Sequence, residues 1–205
     1  MRSEARISTT RTTRVALAAS LAVLALGASA VRAEVAIGVA GGAFVPTSDL
    51  ALPDQDLGIA LGSTYAVTAR WLPLPRLALE VRWQQVFATL DLDDPRATGS
   101  ALDVDALTTG ARYALRDPAA TLVPWLAGHV GWYHASGHTT REQLGARAGE
   151  QTVTRRGDTI GFNVAARVSV ALGHGVSIEV EARYHYTSEL NFVTPLVGLT
   201  LDILP

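Results

Sequence analysis

The sequence predicts an all-β chain: an eight-stranded antiparallel up-and-down transmembrane β-barrel, preceded by a cleaved signal peptide. Three observations lead there. The first thirty-three residues have the layout of an export signal. After Ala33, apolar and polar residues alternate with a period of two, which sets successive side chains on opposite faces of a strand. The connections between these runs alternate between short and long, as they do in membrane barrels.

The export signal occupies 1–33. Arg2, Arg6, Arg11 and Arg14 form a positive start, and Val15 to Ala30 is an apolar run rich in Ala and Leu. Ala28-Ser29-Ala30 and Val31-Arg32-Ala33 both fit a small-residue cleavage site. The run is short of the roughly 20 residues of a spanning helix. There is no twin Arg, which favours the general secretory route. The domain assignment is a signal peptide over 1–33 and a barrel over 34–205.

The strands read in order as 35–45, 57–71, 77–90, 101–115, 121–134, 159–172, 176–187 and 192–203. The clearest is 159–172, where Ile160, Phe162, Val164, Ala166, Val168, Val170 and Leu172 oppose Thr159, Gly161, Asn163, Ala165, Arg167, Ser169 and Ala171. Gly173-His174-Gly175 then makes a tight turn. In the next strand Val176, Ile178, Val180, Ala182, Tyr184 and Tyr186 oppose Ser177, Glu179, Glu181, Arg183, His185 and Thr187. Segments 46–56, 91–100 and 135–157 are long and polar. Segments 72–76, 116–120 and 173–175 are short, and 187–191 departs mildly from the alternation. Short turns belong on the periplasmic side of such a barrel and long loops outside.

Eight antiparallel strands also build soluble ligand-binding barrels, whose interior is apolar. Here the apolar face is wide and nearly free of charge. The other face mixes small residues with Arg70, Glu80, Arg82, Gln84, Arg112, Asn163, Arg167, Glu179, Glu181, Arg183 and Asp202. A charge facing lipid costs roughly 2–4 kcal/mol at the midplane, so the charged face is assigned to the lumen. Trp71, Trp83, Tyr113, Trp132, Tyr184 and Tyr186 fall on the apolar face as an aromatic girdle. Trp125 is the misfit, since its parity points it inward.

Composition narrows function by exclusion. The chain is 48% hydrophobic and has no cysteine, which removes disulfides, thiol catalysis and Cys-ligated metal. A net charge of −2 argues against a general nucleic-acid binder.

Three stretches carry a family resemblance: Val39-Ala40-Gly41-Gly42-Ala43-Phe44-Val45-Pro46, then Val123-Pro124-Trp125-Leu126-Ala127-Gly128-His129-Val130-Gly131-Trp132, and finally Val193-Thr194-Pro195-Leu196-Val197-Gly198-Leu199-Thr200-Leu201-Asp202. Over essentially all of 34–205 the chain resembles the OmpA/OmpX-like outer-membrane β-barrel proteins of Gram-negative bacteria. The resemblance implies an outer-membrane location and contact with lipids including lipopolysaccharide. It also implies delivery by the barrel assembly machinery, and a monomer without cofactor. Family members usually end in an aromatic residue that this machinery reads; this chain has Ile203 and ends at Pro205.

Candidate chemistry is sparse. His134-Ala135-Ser136 is similar to the spacing in outer-membrane lipid A deacylases, where a Ser needs a neighbouring base to attack; the acid would be Glu142 or Glu150. The remainder of that motif is missing, and the pair reads as two polar residues where a strand enters a loop. His134 and His138 sit in an expected loop, and His129 and His185 read as lumenal hydrogen-bonders. Asp91, Asp93, Asp94, Asp103 and Asp105 form an acidic region that reads as a solvated loop, with calcium as the alternative. Gly38, Gly41 and Gly42 precede no helix, so they form no phosphate loop; they read as packing sites inside a narrow barrel. No catalytic residue, metal site or cofactor is assigned.

Two classes of function follow. One is a structural or surface-interaction barrel with a charge-plugged lumen, displaying 135–157 to an extracellular partner. The other is a narrow channel for small solutes, which the tight interior of eight strands opposes. Counting across the turns gives the expected charge pairs. The turn at 173–175 sets Arg167 opposite Glu181 and Ser169 opposite Glu179. The turn at 72–76 sets Arg70 opposite Glu80, and folding about 91–100 sets Glu80 opposite Arg112. The expected clusters are therefore Arg70–Glu80–Arg112 and Arg167–Glu181, with Arg183 and Glu179 nearby.

Overall fold

The computed structural model describes residues 34–48, 50–52, 55–91, 97–143 and 149–204. The signal segment 1–33 lies outside the described residues. The described chain is built from β1 (Glu34–Pro46), β2 (Leu50–Leu52), β3 (Gln55–Ile59), β4 (Gly62–Leu74), β5 (Leu77–Ala88), β6 (Leu90–Asp91), β7 (Ala97–Ala114), β8 (Leu122–Gln143), β9 (Gly149–Gly173), β10 (Val176–Tyr186) and β11 (Phe192–Leu204). Eight of these close into an antiparallel barrel in the order β1-β11-β10-β9-β8-β7-β5-β4. The small strands β2, β3 and β6 form a separate three-stranded sheet between the long-loop ends.

The period of two sets which residues meet the lumen. On β9, Gly161, Asn163, Ala165 and Arg167 are buried while Phe162, Val164 and Val168 are exposed. The exterior is a continuous apolar surface that includes Ile37, Val39, Leu126, Val130, Val180, Val197 and Leu199. Closure satisfies every strand edge of the barrel, which a hydrocarbon environment requires. The register of β9 with β10 pairs Arg167 with Glu181 and Ser169 with Glu179. Gly173, His174 and Gly175 all take positive φ at the connecting turn. The β4–β5 register pairs Arg70 with Glu80.

Two expectations need correction. The segment 135–157 is not a loop for most of its length: β8 runs on to Gln143 and β9 starts at Gly149, paired throughout. The alternation of Thr, His, Arg and Gly there lacks an apolar face, so it read as loop. Yet a ladder above the membrane needs no lipid-facing side. This hairpin outruns its neighbours. The pairing of β10 with β9 stops at Phe162, and that of β5 with β7 stops at Leu102. Beyond Phe162, β9 extends roughly 40 Å along one side without a strand partner among the described residues. The second correction concerns β5 against β7. Glu80 faces Gly110, and Arg112 faces Ala78, two residues from the expected pairing. The 91–100 connection is not a tight turn, so counting across it does not fix the register.

The interior has two layers. Toward the long-hairpin end, Phe44, Val86, Leu90, Leu102, Val104, Ala106, Tyr133, Leu190 and Phe192 pack into an apolar plug. Toward the short-turn end the interior is charged. A narrow barrel leaves little room between strands and contents. A Cβ at Gly42 would overlap the carbonyl of Pro195 and the backbone of Leu196, so this position admits nothing larger than glycine without displacing β11.

Candidate functional site: the charged lumen

Five arginines point into the barrel. Arg70 comes from β4, Arg82 from β5, Arg112 from β7, Arg167 from β9 and Arg183 from β10, and all are buried. Glu80 and Glu181 are buried with them, and the Glu179 side chain is 12% exposed. Buried charges persist only when paired and hydrogen-bonded, and here each carboxylate serves several guanidinium groups.

Arg167 is the hub. Its Nη1 donates to Glu80 Oε1 at 3.0 Å and to Glu179 Oε2 at 2.9 Å, and its Nε donates to Glu181 Oε2 at 2.6 Å. Glu181 also accepts from Arg183 Nε at 2.8 Å and lies 3.4 Å from Arg82 Nη1. Arg82 Nε donates to Gln84 at 3.2 Å. Glu179 Oε1 accepts from Arg70 at 3.1 Å, Arg112 at 3.0 Å and the Ser169 hydroxyl at 3.0 Å. Arg70 reaches Asp202 as well, at 3.2 Å.

The expected cluster Arg70–Glu80–Arg112 is not formed. Arg70 and Arg112 instead share Glu179. Glu80 is taken by Arg167 from the other side of the barrel, with His129 Nε2 3.3 Å from its second oxygen. Cross-strand counting assigns partners along the wall, whereas an eight-stranded lumen is narrow enough for side chains to meet across it. Arg167 and Glu181 do pair directly, and Arg183 and Glu179 join them in one network rather than in two clusters.

The network continues upward through neutral groups. Arg183 Nη1 lies 2.8 Å from His129 Nδ1 and donates to the Asn163 side-chain oxygen. Asn163 donates to the Tyr133 hydroxyl at 3.0 Å, and Tyr133 contacts His185 Nδ1 at 3.1 Å. His185 Nε2 meets the Thr194 hydroxyl at 3.2 Å and stacks on Phe192 with ring centroids 4.2 Å apart. That stack is where the polar network meets the apolar plug. The plug escaped the sequence reading, although Phe44 and Phe192 share the parity of the lumenal residues.

At the short-turn end the lumen opens into a cavity of about 680 Å³. Its floor includes Arg70, Arg112 and Trp125, with the Arg112 guanidinium 4.0 Å from the centre of the Trp125 ring. Trp125 therefore faces inward as its parity indicated, packed beneath a cation where the pairing is favourable.

The girdle residues lie on the exterior. Tyr113, Trp132, Tyr184 and Tyr186 are exposed, and Trp71 and Trp83 are half-buried among neighbours. Tyr65 joins them against Trp83, and Phe162 stacks on Tyr186. Beside Trp132, His134 stacks on the indole and its Nδ1 lies 2.7 Å from Asp158. Ser136 shares this outer face by parity. The side chains of Glu142 and Glu150 lie outside the described residues. No group of three or more metal-binding side chains forms among the described residues; Asp93 and Asp94 lie outside them.

No protein-family model matches the chain, and no curated protein matches it in sequence. Solved structures match it in fold. Neisserial surface protein A is similar at 17% identity over 84% of this chain and 98% of that one, with a TM-score of 0.53. The outer membrane protein OprG of Pseudomonas aeruginosa is similar at 10% identity over 82% and 96%, with a TM-score of 0.56. Ail, the attachment invasion locus protein of Yersinia pestis, is similar at 12% identity over 82% and 96%, with a TM-score of 0.50. A closed ladder, an apolar exterior and a charged interior suit a bilayer, and with these matches they give the chain the OmpA/OmpX-like fold of the small outer-membrane β-barrels.

Proposed function

We propose that the protein is a sealed outer-membrane barrel that works through its projecting hairpin as a structural or surface-interaction module, and that it is not a channel. The observation that carries this reading is the filled lumen. Five guanidinium groups, three carboxylates and an apolar plug occupy the space along the barrel axis. In this orientation the short turns face the periplasm, and β8 and β9 carry the hairpin outward. Its edges on β7 and β9, without a strand partner beyond Leu102 and Phe162 among the described residues, offer backbone donors and acceptors to an extended segment of an extracellular partner. Two proteins of this fold carry names that speak of a surface and of attachment.

The test is conductance of the refolded barrel in planar bilayers, paired with protease treatment of intact cells. The expected result is no steady ionic current, and cleavage within 135–157 from outside. A stable ohmic conductance would instead support a solute channel, and protection of the hairpin would reverse the orientation.

A further inference from the structure

The short-turn mouth has properties that a surface role does not use. It is a blind cavity, closed inward by the charged layer and open at the other end, and its volume lies within the range of small-molecule sites. Part of its wall is apolar, with Leu72, Pro73, Pro75, Pro118, Val123 and Val176 among the lining residues.

Three donors on the floor lack acceptors. Arg70 Nε, Arg112 Nε and Trp125 Nε1 are buried without a hydrogen-bond partner. All three are donors, and all three residues line the cavity. A buried donor left unpaired is costly, so the partner that suits this floor is an acceptor. The sharing of carboxylates points the same way. Among the described residues of the lumen, five arginines face three glutamates, and Asp202 at the rim supplies one further carboxylate. Glu34, at the mouth within electrostatic reach of Arg70, brings the carboxylates to five. Arg112 is the least served, since Glu179, which it shares with Arg70 and Arg167, is its one carboxylate partner among the described residues.

The rim has the opposite character. Glu34 at the start of β1 and Asp117 in the β7–β8 turn line the opening. A simple anion would meet these carboxylates on entry. A molecule with both charges would not, because its ammonium group matches the rim while its carboxylate reaches the floor.

We propose that this mouth is a binding site for a small zwitterion with an apolar body, of the amino-acid or short-peptide class. Its carboxylate sits on Arg70, Arg112 and the Trp125 indole N–H, its ammonium group lies at Glu34 and Asp117, and its apolar part lies along the proline-rich wall. Binding here is independent of the outer hairpin and needs no open pore, so it is separable from the surface role.

The experiment uses the full mature chain refolded in a non-ionic detergent, with folding verified by heat-modifiable gel mobility. Leucyl-leucine is titrated and read by tryptophan fluorescence and calorimetry, beside its C-terminal amide and its N-acetyl form. The expected result is saturable binding of leucyl-leucine, with the amide weaker by roughly tenfold or more, as for loss of a charge-assisted hydrogen bond. Arg112→Gln should weaken leucyl-leucine to a similar degree, and Trp125→Phe should abolish the fluorescence change. Glu34→Gln, at the half-buried rim, should weaken leucyl-leucine but leave the N-acetyl form unchanged. Equal binding of the N-acetyl form together with competition by inorganic phosphate would make this a plain anion site and overturn the assignment. Absence of saturable binding to folded protein would overturn it outright.

Discussion

The two layers of the lumen fill the same kind of space by opposite means. The upper layer closes it with Phe44, Phe192, Leu102 and Val86, which need only shape. The lower layer closes it with arginines and glutamates, which need partners at defined positions. Apolar packing tolerates rearrangement at modest cost. An ion-pair network does not, because a one-residue slip of any strand would turn its charges into lipid. The lower layer is therefore expected to hold the register of the barrel, while the upper layer supplies closure near the exit of the hairpin.

This comparison can be broken first at Glu181, which serves Arg82, Arg167 and Arg183. Glu181→Ala should destabilise the barrel by about 3–5 kcal/mol, the range for an uncompensated buried charge. Urea unfolding in lipid vesicles checks this. Combining it with Arg167→Ala should restore part of the loss, and a double variant as unstable as the sum of the two singles would refute the pairing. Phe192→Ala comes next, at about 3 kcal/mol, measured the same way. No second substitution that removes a charge should rescue it, since the plug has no ionic partner. The smallest effect is expected at Glu179→Gln, about 1–2 kcal/mol. Its side chain is 12% exposed against 4% for Glu181, so water can replace part of what is lost. An effect at Glu179 as large as at Glu181 would show that the lower layer has no gradient from wet to dry.

The sequence reading captured what depends on parity and tight turns. Arg167 opposite Glu181 follows from a three-residue connection, and Arg70 opposite Glu80 follows from a short one. It failed where a long connection separates strands, as between Glu80 and Arg112, and where contacts cross the lumen rather than follow the wall. The bond between Glu80 and Arg167 joins residues 87 apart in sequence, and no local pattern encodes it. The plug was missed for a different reason. Around Val86-Phe87 and Leu102 to Leu107, apolar residues occupy inward positions as well as outward ones. There the alternation that distinguishes lipid from lumen weakens.

Seven of the eight contacts around the barrel join strands that follow one another, setting aside the short strands outside the barrel; only β1 with β11 joins the two ends of the sheet. During assembly the sheet can therefore grow by successive hairpins, each with low loop-closure cost. The bond between Glu80 and Arg167 spans strands that are not adjacent, so it forms only as the sheet curls. Until the two ends meet, the guanidinium groups line a trough that must hold its water, and the concave side cannot face acyl chains. The order of events is thereby constrained: curvature precedes drying, and the seam between the first and last strands is where the protein stops being a wetted ribbon and becomes a membrane body.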